Sequence, residues 1–180
     1  RRYVIRINPA INLEKKWYIF QLMANILEEI KQSFSRGNYL TRLIYINAGV
    51  FVIVKLMSVI STYVLGVSNL WITYLELPAF VQTLLRQPWS IITYMFMHHD
   101  FIHLIFNLLT LYWFGKIFTD YFNQKQLVGL YFLGGIGGAI CYVLAYNFVP
   151  NLNQHIFFSY LIGASASVMA IIFALVRYIP

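Results

Sequence analysis

Three polar side chains stand out because of what surrounds them. Ser165 lies in Gly163-Ala164-Ser165-Ala166-Ser167, flanked only by small residues, so its hydroxyl is sterically open and another backbone can approach closely. His103 and Asn107 lie inside a separate apolar run, four positions apart, which puts imidazole and amide one turn apart on the same helix face. A hydroxyl, an imidazole and an amide are the parts of acyl transfer: a nucleophile, and donors for a developing oxyanion. His98, His99, Asp100 and His103 could also be weighed as metal ligands, with His99 and His103 four apart. No further carboxylate or ordered ligand completes that set, and no metal or other cofactor is expected.

The elements that must carry these groups are membrane helices. Of the 180 residues 60% are hydrophobic and only 11% charged, with a mean hydropathy of +0.67, where soluble domains carry about a quarter charged residues. Cys141 is the single cysteine, so an intrachain disulfide is excluded. The net charge of +7 is concentrated at one end. Eight of the thirteen Lys and Arg residues fall within residues 1–42, as expected beside an anionic cytoplasmic membrane face. No basic surface is interleaved with stacking aromatics, and nucleic acid is not an expected partner.

Residues 1–22 lack clear periodicity, and Pro9 with Asn8 and Asn12 predicts loop or disorder, a leader outside the folded unit. From Met23, the stripe Ile26, Leu27, Ile30 and Phe34 predicts an interfacial helix on the cytoplasmic side, with a basic flank to Arg42 (residues 23–42). Spans are predicted at about 43–67, 101–118, 127–149 and 157–178, each near the length needed to cross about 30 Å of hydrocarbon. Lys55, near the middle of the first span, faces the bundle interior, or its stem snorkels or meets a loop. Residues 68–88 are too apolar for a solvated loop and too broken for a span, and are expected in the membrane interface. Asp100 can cap the second span, and Gly134 and Gly138 form a GxxxG packing face on the third. The Lys/Arg bias places the N-terminus inside, which puts His103, Asn107 and Ser165 together in the outer half of the bilayer.

These residues resemble the rhomboid intramembrane serine proteases. The resemblance covers about residues 35–180. It rests on Trp89, on His98, His103 and Asn107 in the order H-x4-H-x3-N, on the glycine-rich third span, and on Gly163-x-Ser165. It implies an all-α, rhomboid-like bundle in which Ser165 is the nucleophile, and His103, Asn107 and the Ser165 backbone N–H form the oxyanion hole. It implies a structural role for His98, and as substrates transmembrane proteins cut near the outer end of their helices. The expected setting is a multi-pass protein of a bacterial cytoplasmic membrane with its site opening outward.

Two positions depart from the family pattern: Ala166 replaces the usual Gly after the serine, and Ser90 the Arg that commonly follows the Trp. The family's base is a histidine on a sixth span. With four spans, this chain is expected to lack the last two helices of the family core and to be inactive as it stands. The alternative reading is a non-catalytic rhomboid-like protein that binds transmembrane helices.

Overall fold

The computed structural model describes residues 9–178, with residues 9–14 as backbone alone. The chain divides into two compact units, Arg1–Gly37 and Asn38–Pro180.

The first unit holds α1 (Pro9–Arg36), a helix of 28 residues. The described chain is helical from Pro9 onward, so the loop expected over residues 9–22 and the helix start expected at Met23 are corrected. Residues 1–8, where the same loop was expected, lie outside the described residues. Trp17, Phe20, Leu27, Ile30 and Phe34 are all exposed along this helix.

The second unit opens with α2 (Tyr39–Val59), prolonged by a π-helical turn at Ile60–Val64. The Asn38 side chain caps it by accepting from the Thr41 N–H at 2.8 Å. A broken segment follows: a 3₁₀ turn at Asn69–Tyr74, β1 (Leu77–Pro78), α3 (Val81–Arg86), α4 (Ser90–Thr93) and a 3₁₀ turn at Tyr94–Phe96. Two long helices come next, α5 (Phe101–Tyr121) and α6 (Gln124–Phe148). α6 starts with a reciprocal capping box between Asn123 and Gln126. The chain then runs through α7 (Pro150–Asn153), a 3₁₀ turn at Ile156–Phe158 and β2 (Tyr160–Leu161) into α8 (Ser165–Tyr178).

Among the described residues, three helices are long and apolar enough to cross a membrane: Tyr39–Val64, Phe101–Tyr121 and Gln124–Phe148. α8 is apolar, and its described part starts at Ser165 and reaches Tyr178. The fourth helix therefore does not start near Phe157 as expected. Leu161 is taken into an antiparallel pair with Leu77, and Gly163 adopts φ +107°, a conformation that favours glycine and ends any helix reaching it.

Leu40, Leu43, Leu111, Phe118, Leu127, Tyr131, Ile171 and Leu175 fill the core of this unit. Many large apolar side chains point outward from the same helices, among them Ile53, Phe106, Trp113, Leu133 and Phe173. With backbone groups satisfied inside each helix, such a surface suits lipid as solvent. The chain is an integral membrane protein with an all-α helical bundle.

α6 and α8 pack at close range. A Cβ placed on Gly134 would overlap that of Ala170, and one on Gly138 would overlap that of Ala166. Between α2, α6 and the 94–96 turn lies a polar knot. Asn47 is fully buried; its amide donates to the Leu43 carbonyl at 2.8 Å and to the Tyr131 hydroxyl at 3.1 Å. The Tyr131 oxygen is in turn 3.3 Å from the Met95 carbonyl, which it can reach as donor.

Candidate active site

Ser165 is the first residue of α8, so its backbone N–H is one of the four at a helix start that have no intrahelical acceptor. The partial positive charge of the helix N-terminus adds to that N–H. The serine is delivered by a strap that tertiary bonds hold from two sides. β2 pairs with β1, and the Ala79 N–H donates to the Ser159 carbonyl at 3.0 Å. The Gly163 N–H donates to the Tyr94 carbonyl at 2.9 Å.

β1 is itself anchored through the broken segment before it. Four consecutive carbonyls are capped by side chains from residues 87–93. The Gln87 amide donates to Thr73 at 3.1 Å and to Glu76 at 3.2 Å. Trp89 Nε1 donates to Tyr74 at 2.7 Å, and the Thr93 hydroxyl to Leu75 at 2.7 Å. Trp89 was singled out in the sequence; Gln87 and Thr93 were not, because neither type nor spacing shows that they would meet backbone carbonyls. Ser90 is fully buried between them, its Oγ without a partner among the described residues.

His103 and Asn107 come from the first two turns of α5. Asp100 caps that helix, its carboxylate accepting from the His103 N–H at 2.8 Å. This bond is the main reason the Asp100 carboxyl is held below the usual carboxylate range. Asn107 is buried and spends one amide hydrogen on the His103 carbonyl at 3.0 Å. Its amide has a second hydrogen to offer.

The two helices meet at Gly163. A Cβ there would lie 2.8 Å from His103 Nε2 and 4.0 Å from Asn107 Nδ2. His103, Phe106, Asn107 and Thr110 of α5 line a cleft of about 260 Å³ with Ser165, Val168 and Met169 of α8. One cavity thus joins the hydroxyl, the imidazole and the amide.

Behind His103 lies His98, buried, with its ring centroid 5.1 Å from that of His103 and an edge-on arrangement. Its Nδ1 is 3.2 Å from the Phe96 carbonyl, and its Nε2 is buried with no partner among the described residues. Burial pushes the His98 imidazole down to about 4, with the neighbouring His103 acting in the same direction. A donating Nδ1–H is the tautomer consistent with that neutral state.

The other two histidines lie elsewhere. His99 is exposed beside Asp100, and His155 is exposed in the turn before Ser159. Among the described residues, none is hydrogen-bonded to the Ser165 hydroxyl. Ala166, the departure from the family pattern, packs against Gly138, where the missing side chain on α6 makes room for its methyl group.

The Rhomboid domain family matches residues 85–180, a little over half of the chain. Among curated proteins the chain is similar to one described as "Inactive RHOMBOID-like protein 8" of Arabidopsis thaliana, with 33% identity over 85 residues. That alignment covers 47% of this chain and 24% of the relative, so the chain spans about a quarter of that protein's length. No solved structure gives a significant match. The matched segment holds α5, α8 and every residue that lines the cleft, and the chain belongs to the rhomboid family.

Proposed function

We propose that the protein is an intramembrane serine endopeptidase that cuts transmembrane protein substrates near the outer end of their helices. The observation that carries this reading is the cleft in which Ser165, at the N-terminus of α8, meets His103 and Asn107 of α5. In the proposed reaction the Ser165 oxygen attacks the scissile carbonyl, forming a C–O bond. The carbonyl oxygen takes up negative charge facing the Ser165 N–H, the Asn107 amide and the His103 imidazole. Collapse of the tetrahedral species breaks the C–N bond as the departing nitrogen takes up the proton lost by Ser165, and water then releases the acyl group. The lysine and arginine bias supports a cytoplasmic N-terminus and a site opening outward; a bacterial inner membrane is the setting we propose.

The serine proton needs an acceptor, and residues 1–180 supply none at the hydroxyl among those described. The family pattern places it on a histidine of a sixth span. We therefore expect residues 1–180 alone to be inactive. A second reading is favoured by that same observation, and by the word "Inactive" in the relative's description: a non-catalytic protein that holds transmembrane helices in the cleft.

Cleavage of a tagged single-span substrate in proteoliposomes separates the two. The product of the whole reading frame should cut the substrate and its Ser165→Ala variant should not. Equal cutting by both would end the reading of Ser165 as the nucleophile, and none by either with the substrate retained on the protein would replace the protease reading with the binding one.

A further inference from the structure

We infer that Lys55 is a positioning residue for the oxyanion side of the cleft, acting through the backbone carbonyl of His99. Its effect on turnover rests on the protease reading above; its effect on the turn does not.

Lys55 lies on α2 in a row of exposed apolar side chains, with Val52, Ile53 and Leu56 around it. A charge on such a face calls for a partner. The bland account is a stem that snorkels toward headgroups. The ammonium instead donates to the His99 carbonyl at 2.6 Å, a contact across 44 positions of sequence. Bonds with a charged donor are short and among the stronger ones in proteins. The stem is also steadied, since Nζ lies 5.5 Å from the centroid of the Phe51 ring one turn earlier.

The carbonyl that Lys55 holds immediately precedes the helix cap. A peptide unit is planar, so fixing the His99 C=O fixes the plane that carries the Asp100 N–H. Asp100 in turn receives the His103 N–H at 2.8 Å. On the other side of the held carbonyl, His98 reaches back to the Phe96 carbonyl and sets its ring edge against His103. Those two bonds are local, closing within three residues. The bond from Lys55 ties the 98–100 turn to another helix, and through that turn it sets where His103 stands relative to Gly163.

The test uses the product of the whole reading frame in proteoliposomes, as wild type, Lys55→Met and Lys55→Arg. Methionine keeps the stem and suits a lipid-facing position, so loss of folding is not its expected effect. Arginine keeps a charged donor. Amide hydrogen exchange at Ile102, His103 and Leu104 should quicken about tenfold or more in Lys55→Met, with Leu130–Leu133 of α6 unchanged, and return toward wild type in Lys55→Arg. In the same variants kcat should fall about 10–100-fold with KM nearly constant, as misplacement of a reacting geometry by about 1 Å produces, and recover with arginine. Unchanged exchange in Lys55→Met overturns the inference and leaves a snorkelling lysine. Faster exchange throughout α6 overturns it in favour of general stability. Faster local exchange with wild-type kcat overturns the link to turnover. If the wild type itself cuts nothing, the protease reading fails separately and the exchange measurement alone decides whether Lys55 sets the turn.

Discussion

A methyl group on Gly163 would lie 2.8 Å from Nε2 of His103, so the imidazole already occupies the space a side chain there would need. Gly163 also has φ +107°, which a side chain rarely adopts. Both facts act on the same substitution. We predict that Gly163→Ala costs about 1–3 kcal/mol of stability from backbone strain alone. It should also displace His103 and lower turnover by more than about 100-fold, the scale of one lost oxyanion donor. Thermal unfolding in detergent and substrate cleavage in liposomes measure the two effects. Wild-type turnover in Gly163→Ala would mean that the imidazole has no part in the reaction.

Asn107 makes a separate prediction because it already has an internal partner. One amide hydrogen satisfies the His103 carbonyl at 3.0 Å, which leaves the second for a substrate oxygen if the proposed reaction runs. Asn107→Ala should reduce kcat by about 10²–10³-fold and leave KM nearly unchanged, as expected for a donor used mainly in the transition state. A rise in KM alone would make Asn107 a binding group instead.

The three cleft residues were legible in the sequence because polar side chains in apolar runs have few structural uses, and Ser165, His103 and Asn107 each broke such a run. Asp100 was legible as a cap for the same reason, being a carboxylate immediately ahead of apolar helical residues. What hydropathy could not show was where α8 starts. Phe157 to Leu161 is as apolar as a span, yet its backbone is spent on a 3₁₀ turn and on the pairing of Leu161 with Leu77. That pairing is tertiary and leaves no periodic trace. Pro9 and Asn12 misled in the opposite direction, since the segment they mark as a loop is helical from Pro9 onward. Asn47, Gln87, Thr93 and Tyr131 escaped notice because their partners, mostly backbone carbonyls of distant segments, appear only once the chain is folded.

Tyr131 is the clearest of these for a stability measurement. Its hydroxyl is 3.3 Å from both the Asn47 Oδ1 and the Met95 carbonyl, and it accepts from the Asn47 amide at 3.1 Å. Tyr131→Phe leaves buried polar atoms on α2 and on the 94–96 turn short of partners. It should destabilise the protein by about 1–3 kcal/mol. A lowered unfolding temperature in detergent is the expected result. An unchanged one would show that the knot contributes nothing net to stability.

The last prediction concerns pH and turns on His98. The unfolded chain carries histidine near its ordinary value of about 6.5, whereas burial lowers folded His98 to about 4. Above pH 6.5 the imidazole is neutral in both states and costs nothing. As pH falls below 6.5 the unfolded chain takes up a proton that the folded one refuses, so stability declines by at most about 1.4 kcal/mol per pH unit. The decline ends near pH 4, where folded His98 also protonates, at a buried Nε2 with no acceptor and with His103 beside it. Two carboxylates titrate near the same window. Asp100 is held low by its cap, and its contribution is lost only as pH falls through its ordinary range and below. Burial raises Glu76, which acts in the opposite sense by favouring the folded state as it protonates. The His98 share is therefore read as a difference. Unfolding of wild type and His98→Gln should be compared from pH 7 to pH 4, since glutamine keeps a donor for the Phe96 carbonyl but does not titrate. The wild type should lose stability across that window more steeply than the variant. Parallel curves would show that His98 is as easily protonated in the folded protein as in the unfolded one.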